Sequence, residues 1–229
     1  MSVSHAVVWE ALAGVRDPEL DRPITDLGFV ADIKTASRVR VELRLPTYFC
    51  APNFAWLMVA DARDAVAALP GAGPVDVVLL DHFASTEINE GVAAVSGFAA
   101  SFSADGLDPD LGSLRETFER KAHLAAQDRL ARELVAAGVS AGDLAGLLLE
   151  EAAGVAPEAV AGVIRRRERL GVGSGWAFCD ERGEALDGER MPGWLRFART
   201  VRVSIEGNAG FCRGLLETRY GLTRSGAGP

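Results

Sequence analysis

Between residues 38 and 69 the chain changes its hydrophobic period, and that switch constrains the fold more than any other feature. Val39, Val41, Leu43 and Leu45 alternate with Arg38, Arg40, Glu42 and Arg44, the two-residue period of a half-buried strand. Phe54, Leu57, Met58, Ala62, Ala65 and Leu69 then recur at helical spacing. Pro52 suits the first turn of that helix, where its missing N–H costs nothing. Cys50 lies in the connection, Leu45-Pro46-Thr47-Tyr48-Phe49-Cys50-Ala51. Free backbone N–H groups and the positive end of a helix dipole favour a thiolate at such a place. A small apolar core residue is the equally open alternative, since free cysteines are commonly buried.

The neighbouring segments extend the pattern. Ser4 is placed to cap a first helix with the stripe Val8, Leu12 and Val15. Asp17-Pro18-Glu19-Leu20 reads as a stop and restart, Ile24 to Lys34 as a strand, and Thr35-Ala36-Ser37 as the turn into the strand before Cys50. The helix after Cys50 ends near Pro70-Gly71, and Val75 to Leu80 is a short apolar strand. Helix, strand, strand, helix, strand is the order of a small α+β layer with helices on one sheet face.

After Phe102 the character changes. Ser103 to Pro109 is a polar linker, which sets a first domain at residues 1–102 and a second, mainly helical one at 110–224. Helices are expected over Ser113–Ala137, after the capping sequence Ser140-Ala141-Gly142-Asp143 as far as Gly154, and from Pro157 to Leu170. The first carries two apolar faces that point nearly opposite ways, so it touches two partners or breaks midway. A hairpin around Asp180-Glu181-Arg182-Gly183, a strand at Val201, Val203 and Ile205, a final helix capped by Asn208 and a disordered tail at 225–229 complete the expectation.

With 229 residues, 48% of them hydrophobic and 24% charged, the chain can bury a real core. A net charge of -8 argues against a general polyanion binder. Three widely spaced cysteines make no disulfide framework, and Met1 to His5 is not the start of a secretory leader. No apolar run approaches the roughly 20 residues that span a bilayer. A cytoplasmic protein with reduced thiols is expected.

Three pieces in order, Asp17-Pro18-Glu19, Ile24-Thr25-Asp26-Leu27-Gly28-Phe29-Val30 and the strand ending Thr47-Tyr48-Phe49-Cys50, give residues 1–102 their resemblance to a known family. They resemble the SufT/PaaD-like family of iron–sulfur and metal-centre assembly factors, a small α+β domain. The resemblance implies that Asp17, Glu19, Thr47 and Cys50 cluster, with Asp26 nearby, and that the cysteine is the working residue. The chain departs from the family in having Phe49-Cys50-Ala51-Pro52 where Gly-Cys-Pro is usual. Read from the residues alone, Asp17 is also a good N-cap, Asp26 a turn residue and Thr47 an ordinary strand residue. His82, just after the third strand, either completes a site near Cys50 or is a polar strand end.

The expected metal ligands are therefore Cys50, Asp17, Glu19 and His82, supported by Thr47 and Asp26. The expected role is an accessory factor for metalloenzyme maturation, with iron or an iron–sulfur cluster held transiently. Its partners would be the assembly machinery or a client metalloenzyme such as an iron-dependent oxygenase, with a homodimer left open and a C-terminal region that recognises the partner. The alternative is a DNA-binding winged helix in the C-terminal half, with Arg165, Arg166, Arg167 and Arg169 on phosphates; nucleic acid is disfavoured by the acidic chain. A thiol enzyme would need a base for Cys50, and none of His5, His82 and His123 has a sequence relation to it, so no enzymatic activity is expected. Glu116, Glu119 and His123 share a polar helix face that reads as solvated, and Cys179 and Cys212, each preceded by phenylalanine, read as buried.

Overall fold

The computed structural model describes residues 3–102 and 111–222. The expected linker at 103–109 and tail at 225–229 lie outside the described residues. Contacts divide the chain into two units, residues 1–112 with 208–229, and residues 113–207.

In the first unit Ser4 accepts a hydrogen bond from the Val7 amide and caps α1 (His5–Ala13), which buries Val8 and Leu12. A two-residue ladder follows, β1 (Arg16–Asp17) antiparallel to β2 (Arg22–Pro23). Residues 24–29 were expected to begin a strand and form turns instead. The Leu27 and Gly28 amides bond back to Pro23 and Thr25, and Phe29 to Ile24. Gly28 takes φ +75°, and a Cβ there would lie 3.2 Å from Leu216 Cδ2, so this turn needs glycine. The strand proper is β3 (Val30–Thr35), antiparallel to β4 (Val39–Arg44).

Helix α2 (Pro52–Ala67) begins at the expected proline and carries the chain over to β5 (Val75–Leu80), which pairs parallel with β4 from Val39↔Val75 to Arg44↔Leu80. A parallel pair needs such a crossover, and it leaves both strands ending at the same edge. The sheet order is β3-β4-β5. Val39, Val41 and Leu43 are buried, as their alternation requires, in one core with Ala55, Val59, Ala62 and Val66 of α2. α3 (Ser85–Ala94) and the one-turn α4 (Phe98–Ser101) complete the packing, with Trp56 edge-on to Phe98 at 5.9 Å. The architecture is α+β, as expected.

The second unit is mainly helical. α5 (Leu111–Ala136) runs unbroken through the expected midpoint. Ser140 accepts from the Asp143 amide and opens a 3-10 turn at Ala141–Leu144, followed by α6 (Leu149–Ala153) and α7 (Pro157–Leu170). Of the expected hairpin only one bridge forms, Cys179↔Ala185, because Asp180 Oδ1 gathers the Arg182 and Glu184 amides into a tight turn. The expected strand at Val201–Ile205 is the middle of α8 (Met191–Tyr220), and Asn208 lies inside that helix instead of capping one. A five-residue alternation is too short to outweigh the helical stripe Ala198, Arg202, Ile205 and Ala209, all buried. Arg202 adds an i,i+4 ion pair to Glu206 and a bond to Asp128. From Asn208 onward α8 belongs to the first unit, since Ala209 and Leu216 enter that core. The chain thus divides twice, where one boundary near residue 110 was expected.

The four arginines of α7 do not make a phosphate-binding face. Arg165 and Arg169 are exposed, whereas Arg166 turns back to the Gly162 carbonyl at 2.6 Å. Arg167 is buried and donates to His123 Nε2 (3.1 Å), Trp176 O (2.7 Å) and Ala177 O (3.1 Å). His123, expected on a solvated face, is buried, and burial with the Arg167 and Arg166 charges pushes its pKa down to about 4. The ring stays neutral, as it must to accept from a guanidinium.

Arg167→Ala removes the donor to an imidazole and two buried carbonyls. It is expected to cost about 2–4 kcal/mol in urea unfolding, while Arg169→Ala stays within about 0.5 kcal/mol. In the first unit, a Cβ on Gly91 would sit 2.6 Å from the Trp56 ring and against Ser101 Oγ. Gly91→Ala should therefore lose about 1–3 kcal/mol, where an open helix site would gain up to about 1 kcal/mol.

Candidate functional site

The loops that follow β4 and β5 meet at the carboxyl end of the parallel pair, the edge at which open α/β sheets bind ligands. Leu45 and Pro46 are buried and anchor the first loop, which then surfaces at Tyr48 and Phe49 and delivers Cys50 half-buried before α2. His82 staples the second loop to the first. Its Nε2 lies 2.7 Å from the Cys50 carbonyl, and its Nδ1 accepts from the Ala84 amide at 3.2 Å. The Phe83 amide adds a bond to Tyr48 O at 3.1 Å.

Both His82 bonds are satisfied by the neutral Nε2–H tautomer. Burial lowers the His82 pKa, against the Cys50 carbonyl that favours the charged ring, and the Arg219 charge lowers it further. His82 is therefore a positioning residue for the cysteine loop. Both of its ring nitrogens are engaged with backbone groups.

Thr47 Oγ1 stands 3.3 Å from Cys50 Sγ and accepts from the Phe49 amide at 3.2 Å. Either atom of the Thr47–Cys50 pair can be the donor. No side chain caps α2, whose N-cap is Ala51. Tyr48, Phe49 and Phe83 surround the cysteine loop with exposed rings 5.0 to 6.3 Å apart. Phe49 is 77% exposed, the most open large apolar side chain among the described residues.

Asp17 is buried and its Oδ1 accepts from the amides of Glu19 (2.9 Å) and Leu20 (2.8 Å), so it holds the turn between β1 and β2. Burial raises its pKa to about 6 against those two bonds, with the Glu19 charge adding to the rise. Glu19 is half-buried and accepts from Asn208 Nδ2 at 3.4 Å. Asp26 is exposed and accepts from the Thr25 hydroxyl beside it at 3.5 Å.

Cys212 was missed as a site residue. It lies on α8, half-buried against the first core. Burial, and then the charges of Asp17, Cys50 and Glu19, push its thiol up to about 11. Phe211, the neighbour that suggested burial, is exposed. No local sequence signal marks Cys212, because its packing against the first core depends on where the end of α8 lies. Cys179 is fully buried in the second unit, and its thiol is raised by burial. Among the described residues no three Cys, His, Asp or Glu side chains converge as a metal cage. No described helix is long and apolar enough to cross a membrane.

A family model described as "Iron-sulfur cluster assembly protein" matches residues 5–78. The match takes in Asp17, Glu19, Thr47 and Cys50 and ends before His82 and Cys212. An uncharacterized protein of Methanocaldococcus jannaschii is 33% identical over 90 residues, which are 38% of this chain and 93% of that protein. No solved structure matches the chain.

Asp17 gives a pH test of the site. A carboxyl whose folded pKa is raised from 3.8 to about 6 stabilises the fold below the lower value and loses that contribution as pH rises through the upper one. The substitution Asp17→Asn keeps the acceptor oxygen and removes the titration. The stability of wild type relative to Asp17→Asn should fall by about 2 kcal/mol between pH 4.5 and 7.5 in urea unfolding. A constant difference would contradict the buried-carboxyl assignment.

Proposed function

The chain belongs, through residues 5–78, to the iron–sulfur cluster assembly protein family, and from that premise we propose that Cys50 is its transient ligand for iron or an iron–sulfur cluster. The observation that carries this is the setting of Cys50. It is a half-buried thiol at a strand-end loop, with a threonine hydroxyl at hydrogen-bond distance. Thiolate and carboxylate are ligand types that iron accepts. A site with few protein ligands suits a carrier, which must release what it binds.

The protein is then an accessory factor of metalloenzyme maturation and not an enzyme. His82, which interacts with the Cys50 carbonyl, is engaged with backbone through both nitrogens and so is not free to act as a base for the thiol. The exposed rings of Tyr48, Phe49 and Phe83 offer an apolar rim on which an acceptor protein could seat while its own ligands displace Cys50. The client would be an iron–sulfur enzyme or an iron-dependent oxygenase, and the second unit would recognise the client or the donor machinery. The reducing cytoplasm is the compartment in which such a thiol stays free.

Anaerobic loading with ferrous iron, with and without sulfide, tests the proposal. Wild type is expected to develop a sulfur-to-iron charge-transfer absorption that Cys50→Ala lacks. Equal iron binding by Cys50→Ala would overturn it.

A further inference from the structure

Within the second unit, α5 and the first half of α8 wall an open cleft of about 530 Å³, a volume in the range of small-molecule sites. Its frame is a buried ion pair. Arg202 of α8 donates to Asp128 of α5 and to Glu206 one turn along its own helix. Arg129 of α5 adds a bond to Glu206 at 3.3 Å. Arg202 and Asp128 are both buried, so the charge of Arg202 is spent on holding the two helices together.

Three further guanidiniums line the cleft. Arg196 and Arg199 precede Arg202 at three-residue spacing on α8, and Arg132 stands one turn after Asp128 on α5. All three are exposed, and no described side chain pairs with any of them. Arg120, Arg129, Arg190 and Arg202 of the same unit each have a carboxylate in ion-pair reach. The whole chain carries a net charge of -8, so the positive cleft is local. Like charges gathered in one concavity repel one another and focus a positive potential there. An anion between them relieves both. Pro192 and the half-buried Leu195 give the cleft an apolar side.

We propose that this cleft binds a small molecule bearing a di- or triphosphate, with its oxygens held by Arg132, Arg196 and Arg199. A guanidinium fork matches phosphate oxygens two at a time, and a short phosphate chain offers several charges to three separate forks. A nucleoside triphosphate and an inorganic polyphosphate present the same group; the first also sets an organic part against Leu195. A duplex nucleic acid instead needs positive charge spread along its backbone. The proposal is independent of the carrier role of Cys50.

Calorimetric titration of the metal-free full chain at about 0.15 M salt tests it, with ATP, inorganic tripolyphosphate and citrate as probes. Wild type is expected to bind ATP and tripolyphosphate, and to bind citrate about tenfold more weakly. Arg132→Gln, Arg196→Gln and Arg199→Gln are each expected to weaken binding of both phosphate probes about tenfold. Their unfolding midpoints should match wild type, because all three side chains are exposed. Arg169→Gln removes the same charge from α7, outside the cleft, and is expected to stay within about twofold of wild type. Tighter binding of ATP than of tripolyphosphate supports a nucleotide, and equal binding supports the phosphate chain alone. The proposal is overturned if wild type binds neither phosphate probe, if citrate binds as tightly, or if Arg169→Gln weakens binding as much as the cleft variants do. Duplex DNA binding that is lost in the same three variants would also overturn it, in favour of nucleic acid.

Discussion

The hydrogen bond between His82 Nε2 and the Cys50 carbonyl is the contact on which the site depends. β4 and β5 run parallel because α2 joins them, so their outgoing loops emerge side by side. Side by side is not yet fixed. The buried imidazole bridges the two, taking the Ala84 amide on one nitrogen and giving its proton to the Cys50 carbonyl on the other. Such a bond is worth only about 1 kcal/mol net, but its loss strands a buried polar group at about 1–3 kcal/mol. Burial lowers the ring's pKa, which favours the neutral form that makes the bridge. The cysteine backbone is thereby clamped while its sulfur stays half-open.

Around that clamp α8 contributes Arg219, which donates to Leu45 O and Asp81 O at the bases of the two loops. Asp17 is structural first, since its two amide bonds shape the turn that carries Glu19. Cys212, on the last turns of α8, packs against the first core. The second unit has its own polar core, in which Arg167 is consumed by His123 and two carbonyls. That burial removes the central arginine of the alternative DNA-binding reading, and the single bridge at Cys179↔Ala185 gives no wing.

Much of the first unit is legible in the sequence because its signals are local. The alternation of Val39, Val41 and Leu43, the proline at the start of α2 and the apolar run at Val75–Leu80 each fixed an element within a residue or two. Thr47 beside Cys50 was legible for the same reason, being three residues away in one loop. What failed was non-local or too short. Residues 24–29 hold Ile24, Leu27 and Phe29 in the core through turns, and buried apolar residues alone do not separate a turn from a strand. Val201 and Val203 mimic a strand until Arg202 is seen paired with Glu206 along one helix face. For His82 the sequence shows a side chain and not the two backbone groups that engage it. Cys212 was invisible because nothing near it in sequence reports that α8 returns to the first unit.

The central claim, that iron resides on the Cys50 sulfur, is tested most directly by thiol alkylation read by mass spectrometry with and without anaerobic iron loading. The Cys50 peptide is expected to be alkylated in the iron-free protein and protected once iron is bound, with buried Cys179 unlabelled in both states. Alkylation of Cys50 at the same rate with and without bound iron would contradict it.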